Sequence, residues 1–324
     1  MLLFAVLAAV LLLSILLALG TGAVRLSLAE LLEGLRDGQS VSGRILLAVR
    51  IPRLLAALLA GAGLAVAGAL IQTVLNNPLA SPSVIGVNAG AGLFAAVAMA
   101  FFPGLWPLLP GAAFLGALFT ALLVFGIARH TGAAKITLVL CGVAISSLMT
   151  AGISTLTTFF PDILVGMRDF QIGGFSGVHM KLVLPGGAVI LAGLLLSWLM
   201  AGELAILGLG DETAQSLGLN VRLFRFIFLV LAAALCGAAV SFAGLLGFVG
   251  LIVPHSARLL LPGASKRTLI SATALLGASF LILCDTAART LFAPYELPVG
   301  ILIAFMGAPF FLYLIIKERR RPHA

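Results

Sequence analysis

The sequence predicts an all-α polytopic membrane protein, with about ten transmembrane helices in one domain over residues 1–324. Three observations predict it. Hydrophobic residues make up 62% of the chain and charged residues 9%, where a soluble chain carries about 25% charge. The charges cluster between apolar stretches of about 18–25 residues, the length that crosses a bilayer at about 1.5 Å per residue. Those stretches are continuous and rich in Leu, Ala and Gly, whereas membrane-barrel strands alternate in polarity over about 10 residues. Only helices and closed barrels satisfy their backbone in lipid, so continuous runs mean helices.

The runs place the spans at about 2–20, 53–75, 84–102, 108–128, 136–159, 182–201, 223–242, 245–262, 268–286 and 297–316. The first, Met1 to Leu19, has no basic segment ahead of it, and its run exceeds the roughly 7–15 residues of a signal peptide, so it is expected to remain as a helix. An even count puts both termini on one side. The basic tail Lys317-Glu318-Arg319-Arg320-Arg321 makes that side cytoplasmic. The same side holds Arg129, Lys135, Arg222, Arg225, Lys266 and Arg267. The other holds Arg25, Arg36, Arg44, Arg50, Arg53, Arg168, Lys181 and Arg289, which leaves a modest inward bias. Trp106, Trp198, Tyr295 and Tyr313 fall near span ends, as interfacial anchors do. The net charge of +8 therefore reads as membrane topology, not as a nucleic-acid surface.

Two loops are long enough to fold. In the outer one, 21–49, Leu26-Ser27-Leu28-Ala29-Glu30-Leu31-Leu32 reads as a short amphipathic helix. In the inner one, 202–222, Asp211 is placed to cap a helix and Gly218 to end it in a left-handed conformation. About two turns then lie outside the membrane. That length is marginal alone in water, so the helix is expected to dock on something. Gly61 with Ala65, and Gly63 with Ala67, have the four-residue spacing that lets helices approach closely. Cys141, Cys236 and Cys284 lie inside apolar runs without metal-ligand spacing and read as small packed hydrophobes.

Several chemistries are missing. There is no G-x-x-x-x-G-K-[ST] phosphate loop, so the chain is not expected to hydrolyse ATP, and there is no H-E-x-x-H. Gly208-Leu209-Gly210-Asp211 matches the GxGD pattern of intramembrane aspartyl proteases. That chemistry needs two carboxylates sharing a proton within the membrane, and Asp211 falls in a polar loop with no mid-span partner. The competing class is a secondary transporter or channel working without partners. It needs an ionisable group at depth, and Asp285 comes nearest, toward the outer end of span nine. With no ATP site and no proton relay, the chain would need a partner's energy if it moves a solute uphill, and the inner two-turn helix is the place to push.

Four segments, in order, resemble the permease subunits of type II ABC importers, the FecCD family. The first is Arg50-Ile51-Pro52-Arg53. The second is Asn77-Pro78-Leu79-Ala80-Ser81-Pro82, followed by Ile85-Gly86-Val87 and Gly90-Ala91-Gly92. The third is Leu209-Gly210-Asp211-Glu212 with Ala214, Ser216, Leu217 and Gly218. The fourth is Gly247-Phe248-Val249-Gly250-Leu251-Ile252-Val253-Pro254-His255 with Arg258. Glu296-Leu297-Pro298-Val299-Gly300 and Gly307-Ala308-Pro309 complete a pattern covering about residues 45–316.

The resemblance implies a homodimer with the pathway between two copies. Two cytoplasmic ATP-binding subunits and one periplasmic or lipoprotein binding protein would complete the assembly, in membrane lipid. ATP and Mg would belong to the partner ATPase, with no cofactor and no enzyme activity in this chain. The cargo would be an iron chelate, ferric siderophore ahead of haem, with the cobalt compound cobalamin after them. The location would be the bacterial cytoplasmic membrane, with both termini cytoplasmic.

The resemblance also implies site residues. Glu203, Leu209, Gly210, Asp211, Glu212, Ala214, Ser216, Leu217 and Gly218 would form the loop that sits in a cleft of the ATPase subunit. Arg50, Arg53 and Arg289, on the outer face, would meet glutamates of the binding protein, for which an always-charged, two-pronged guanidinium is suited. Two of them have another reading as snorkelling anchors, Arg50 and Arg53, and Arg289 stands four residues after Asp285, the spacing of an intrahelical pair. Asn77, Pro78 and Leu79 would narrow the inner mouth of the pathway, with Pro78 and Pro82 breaking any helix there. Pro254, His255 and Arg258 are expected to interrupt span eight. The motif carries His255 whatever the solute, so it reads as structural and not as a haem ligand.

Overall fold

The computed structural model describes residues 2–22, 26–130, 135–293 and 295–319, and these are helical almost throughout. The first helices are α1 (Leu2–Gly20), α2 (Leu28–Arg36), α3 (Val41–Ile45), α4 (Ile51–Val74) and α5 (Val87–Phe101). Then come α6 (Leu108–His130), α7 (Lys135–Phe159), α8 (Leu164–Ile172), α9 (Met180–Leu199) and α10 (Ala201–Leu207). The last are α11 (Asp211–Ser216), α12 (Val221–Ala243), α13 (Val249–Leu260), α14 (Lys266–Ala288) and α15 (Val299–Arg319). The side chains of the basic tail, Lys317 to Arg321, lie outside the described residues, as does Arg25.

Among the described residues, seven helices are long and apolar enough to cross a membrane: α1, the continuous Val41–Val74, α6, α7, α9, α12 and α14. The shorter apolar helices Val87–Phe101, Val249–Leu260 and Val299–Tyr313 occupy the places of expected spans three, eight and ten. The second span starts earlier than expected, because the chain is already helical at Val41. It passes through a π turn at Leu46–Arg50 just before Pro52, a residue that donates no N–H. The expected outer helix is α2, where Ser27 and Glu30 form a reciprocal capping box.

Burial ranks the helices. An apolar 18-residue stretch is 78% buried in Val41–Val74 and 72% in α12, but only 17% in α1 and 22% in α7. Helix α4 is therefore the central post, and α14, α12, α13 and α9 pack around it. The pairing expected from Gly61 and Ala65 is observed. A β-carbon on Gly61 would overlap the carbonyl of Gly277 in α14, and one on Gly277 would overlap the carbonyl of Gly61 and the Ala65 side chain. The two backbones cross in contact, where dispersion between helices is strongest.

One expectation is corrected. Span eight is not interrupted at Pro254: α13 runs unbroken from Val249 to Leu260 with the proline inside it. Pro254 cannot bond the carbonyl of Gly250, four residues back. That carbonyl instead accepts the side-chain amide of buried Gln72, at 3.1 Å. The Gln72 oxygen in turn accepts from Arg258, at 2.5 Å. The bond that proline removes is replaced from α4, so the helix continues. His255 packs edge-on against Phe310, with ring centroids 6.0 Å apart.

The crossing at Gly277 yields a direct test. Gly277→Leu overpacks the α4–α14 contact and is expected to cost about 1–3 kcal/mol. The loss should appear as a lower melting temperature of the detergent-solubilised protein. An unchanged melting temperature would mean that the crossing is looser than the structure shows.

Candidate functional site

The expected sites lie at opposite ends of α4. Arg50 and Arg53 stand at its start and Asn77 to Leu79 just past its end, with 24 residues, about 36 Å, between.

At the far end, the 202–222 loop holds two helices, not one. Glu203 belongs to α10, half-buried in its first turn, and Leu204 and Leu207 root that helix in the core. The second helix, α11, is six residues long. Its end follows expectation. Gly218 takes φ +82°, its N–H bonds the carbonyl of Gln215, and the next N–H, of Leu219, reaches back to Ala214. This double closure satisfies carbonyls that would otherwise have no partner, and it needs a residue free to adopt positive φ.

Its beginning differs from expectation. Gly210 is the N-cap residue and Asp211 is the first helical residue, with no side-chain cap bond. The Asp211 carboxylate turns back toward the bundle. Its Oδ2 accepts from Arg225 of α12 at 2.6 Å, and its Oδ1 lies 3.3 Å from Lys135 at the start of α7. Two cations hold the aspartate more strongly than the weak field of a two-turn helix. Ala214 is fully buried beneath α11, whereas Glu212 and Ser216 face outward. Leu209 and Leu217 are each 60% exposed at its two ends, an apolar rim outside the core.

Lys135 leads to the next element. Beyond its last residue Val74, helix α4 is closed off at Asn76, which has φ 47° and a backbone closure of the same kind: Asn76 N–H to Thr73 and Asn77 N–H to Gln72. With its amide oxygen turned toward Lys135, the Asn76 side chain accepts from the ammonium at 2.9 Å and donates to the Thr73 carbonyl at 2.8 Å. The reverse orientation sets two donors face to face. The loop Asn77-Pro78-Leu79 follows directly. Asn77 Oδ1 takes the N–H of Leu79 at 2.9 Å, a tight turn that leaves Asn77 and Pro78 exposed and Leu79 half-buried. The sequence reading missed Lys135, Arg225 and Asn76 as site residues. The two cations carried only a topology signal, and no local spacing joins these positions.

At the other end, Arg50, Arg53 and Arg289 do come together, but they are turned into the chain. Arg53 grips Asp285 with two prongs, at 2.9 and 3.0 Å, and reaches Glu296 at 2.8 Å. Arg289 lies 3.5 Å from Asp285, the pairing that its spacing allowed. Its other nitrogens donate to the carbonyls of Ala18 and Thr21, each at 2.7 Å, and Arg50 donates to the carbonyl of Leu19. Arg50 and Arg289 are thus cationic caps on the C-terminal end of α1. Both are buried, at 6% and 7% exposure, while the Arg53 side chain is 12% exposed.

The FecCD transport family model matches residues 10–317. The chain belongs to the FecCD transport family. Among its relatives, the Fe(3+)-citrate import system permease protein YfmE of Bacillus subtilis is 37% identical over 98% of this chain and 95% of that protein. The hemin transport system permease protein HmuU of Yersinia pestis is 37% identical over 96% and 95%. A solved inward-facing structure of a metal-chelate type ABC transporter superposes with a TM-score of 0.86 at 30% identity, over 96% of this chain and 97% of that one. This FecCD chain is thus an all-helical, polytopic membrane permease of a transport family, as its motifs suggested.

The electrostatics of Asp211 in the FecCD chain carry a sign. Burial works against its charge, but the bonds and attraction of Arg225, then of Lys135, outweigh it and hold the carboxyl below its ordinary 3.8. A lowered value means that the attachment is complete above pH 3.8 and lost as pH falls through the lowered value. At pH 7, amides of 209–219 should therefore be protected from hydrogen exchange. Asp211→Asn should speed their exchange about two- to fivefold, the range of a half-exposed ion pair. Identical exchange in the variant would leave the ion pairs without a holding role.

Proposed function

We propose that this chain is the permease subunit of an ATP-driven importer and works as a homodimer. The observation that carries the reading is α11. It is a short helix, closed at its far end and anchored from behind through Asp211. It presents Glu212, Leu209 and Leu217 outward, and it sits beside the loop at the end of α4. An exposed apolar rim on a helix too short to stand alone suits a partner's cleft. Two cytoplasmic ATPase subunits, which bind the ATP and Mg, would seat these helices. Their closure would move α11 and, through it, Asn77-Pro78-Leu79 as the inner gate.

In this reading the seven long and three shorter apolar helices make ten spans, with both termini and α11 cytoplasmic in a bacterial inner membrane. The pathway runs between two copies along α7. That long helix is poorly covered in the single chain, and it exposes the hydroxyl-bearing Ser147, Thr150, Ser154 and Thr158 along its length. Asp285 is committed to Arg53 and Arg289, which speaks against a proton relay and against the partner-independent transporter or channel. The chain then does no chemistry of its own and needs no cofactor.

A periplasmic or lipoprotein binding protein would dock at the arginine end. Arg50 and Arg289 would hold α1, and Arg53 would exchange the half-exposed Glu296 for a partner carboxylate. The cargo is a metal chelate, an iron one first (a ferric siderophore, then haem) and the cobalt compound cobalamin after. Relatives named for ferric citrate, hemin and iron(3+)-hydroxamate support an iron-bearing cargo.

The test is uptake by proteoliposomes that hold this chain with its cognate ATPase and binding protein. Ferric siderophore, haem and cobalamin would be offered in turn, with and without ATP. Uptake of one cargo that requires ATP and both partners is the expected outcome, and uptake by this chain alone on an ion gradient overturns it. Leu209→Ser with Leu217→Ser should weaken retention of the ATPase subunit about tenfold, as loss of an apolar anchor does. Unchanged retention would place the ATPase contact elsewhere.

A further inference from the structure

We propose that Lys135 is the positioning residue that ties the ATPase-facing helix α11 to the gate loop, through an ammonium shared between Asp211 and Asn76. The proposal rests on the importer reading above and names the link which that reading leaves open. Three elements remote in sequence meet at this one group. Asp211 is the first residue of α11, Asn76 closes α4 one residue before the gate, and Lys135 starts α7, the helix set along the pathway.

The two oxygens of Asp211 are used differently. Oδ2 is held at 2.6 Å by Arg225, which is only 4% exposed on the well-covered α12 and cannot follow a moving helix far. Oδ1 lies 3.3 Å from the Lys135 ammonium as an ion pair without a hydrogen bond, and although that oxygen is itself covered, the two side chains are 28% and 39% exposed. An ion pair without a hydrogen bond between partly exposed side chains is weak enough to break and re-form in each cycle. Lysine also suits the role by its build, a compact charge with three donors on a flexible four-carbon stem, which can move between two acceptors. The second acceptor is the Asn76 oxygen at 2.9 Å, and the same amide clamps the last turn of α4 by donating to Thr73 at 2.8 Å. When α11 is pulled by its partner, Lys135 either carries the end of α4 with it or releases Asn76. In both cases the turn that holds Asn77 feels the displacement.

The experiment uses the complete importer in proteoliposomes and reads solute carried per ATP hydrolysed, beside the hydrolysis rate and the amount of complex assembled. Lys135→Gln should assemble and hydrolyse ATP but carry about tenfold less solute per ATP, a coupling loss of ordinary size. Lys135→Arg, which keeps the charge and the donors, should restore most of it. Asn76→Gly keeps the left-handed turn and removes only the amide, so it should lose coupling as Lys135→Gln does. The double variant should then be no worse than either single one. Asn76→Gly also decides the matter if Lys135→Gln fails to assemble.

Wild-type coupling in both Lys135→Gln and Asn76→Gly overturns the link while the importer reading stands. Full coupling in Asn76→Gly alone overturns it as well, and leaves Lys135 a merely structural anchor for α11. A wild-type complex without ATP-driven uptake would overturn the importer reading and the link together.

Discussion

Helix α4 is dominated by small residues through its middle, where Ala56, Ala57, Ala60, Gly61, Ala62, Gly63, Ala65, Ala67, Gly68 and Ala69 are all buried. In lipid there is no hydrophobic drive to press helices together, so packing must come from close contact and from hydrogen bonds between helices. A post of small residues supplies the first by letting neighbouring backbones touch it. Gln72 supplies the second, taking the Gly250 carbonyl that Pro254 leaves open. The two candidate sites stand at the two ends of this helix, and its length sets their separation.

Those ends use the same chemistry to different effect. Asp285 is 3% exposed and gripped by Arg53 and Arg289, so removing one partner would strand buried charge at high cost. Such a cluster is a lock, and what it locks is α1, whose last carbonyls it caps. Asp211 also meets two cations, but it stays half in water, where an ion pair is weak and its partners can exchange. Burial makes one aspartate a fixture and leaves the other able to move.

The short helix α11 joins these themes. Alone it would not hold, since its end closures and one turn of bonds barely offset the cost of ordering it. Ala214 roots it from below and Asp211 from behind, and that leaves Leu209, Glu212 and Leu217 exposed. A small element held by a few exchangeable contacts is suited to transmit movement, where a deeply packed helix would resist it.

Much of this was legible in the sequence, because apolar runs, prolines and glycines act locally. The run lengths placed the long helices within a few residues, apart from the early start of the second at Val41, Gly218 marked the end of α11, and the Gly61–Ala65 spacing marked a close crossing. The ordered motifs pointed to the FecCD family. Where local reasoning failed, a distant group had replaced a local one. Pro254 was expected to break a helix that Gln72 sustains. Asp211 was expected to cap its own helix, but Arg225 and Lys135 take its carboxylate. Arg50, Arg53 and Arg289 were expected on one face and do lie together, yet their acceptors, Asp285, Glu296 and the carbonyls of α1, could not be read from spacing. Charge identity is written residue by residue, but which charges meet depends on how helices far apart in the chain pack together, and only the tertiary structure decided that.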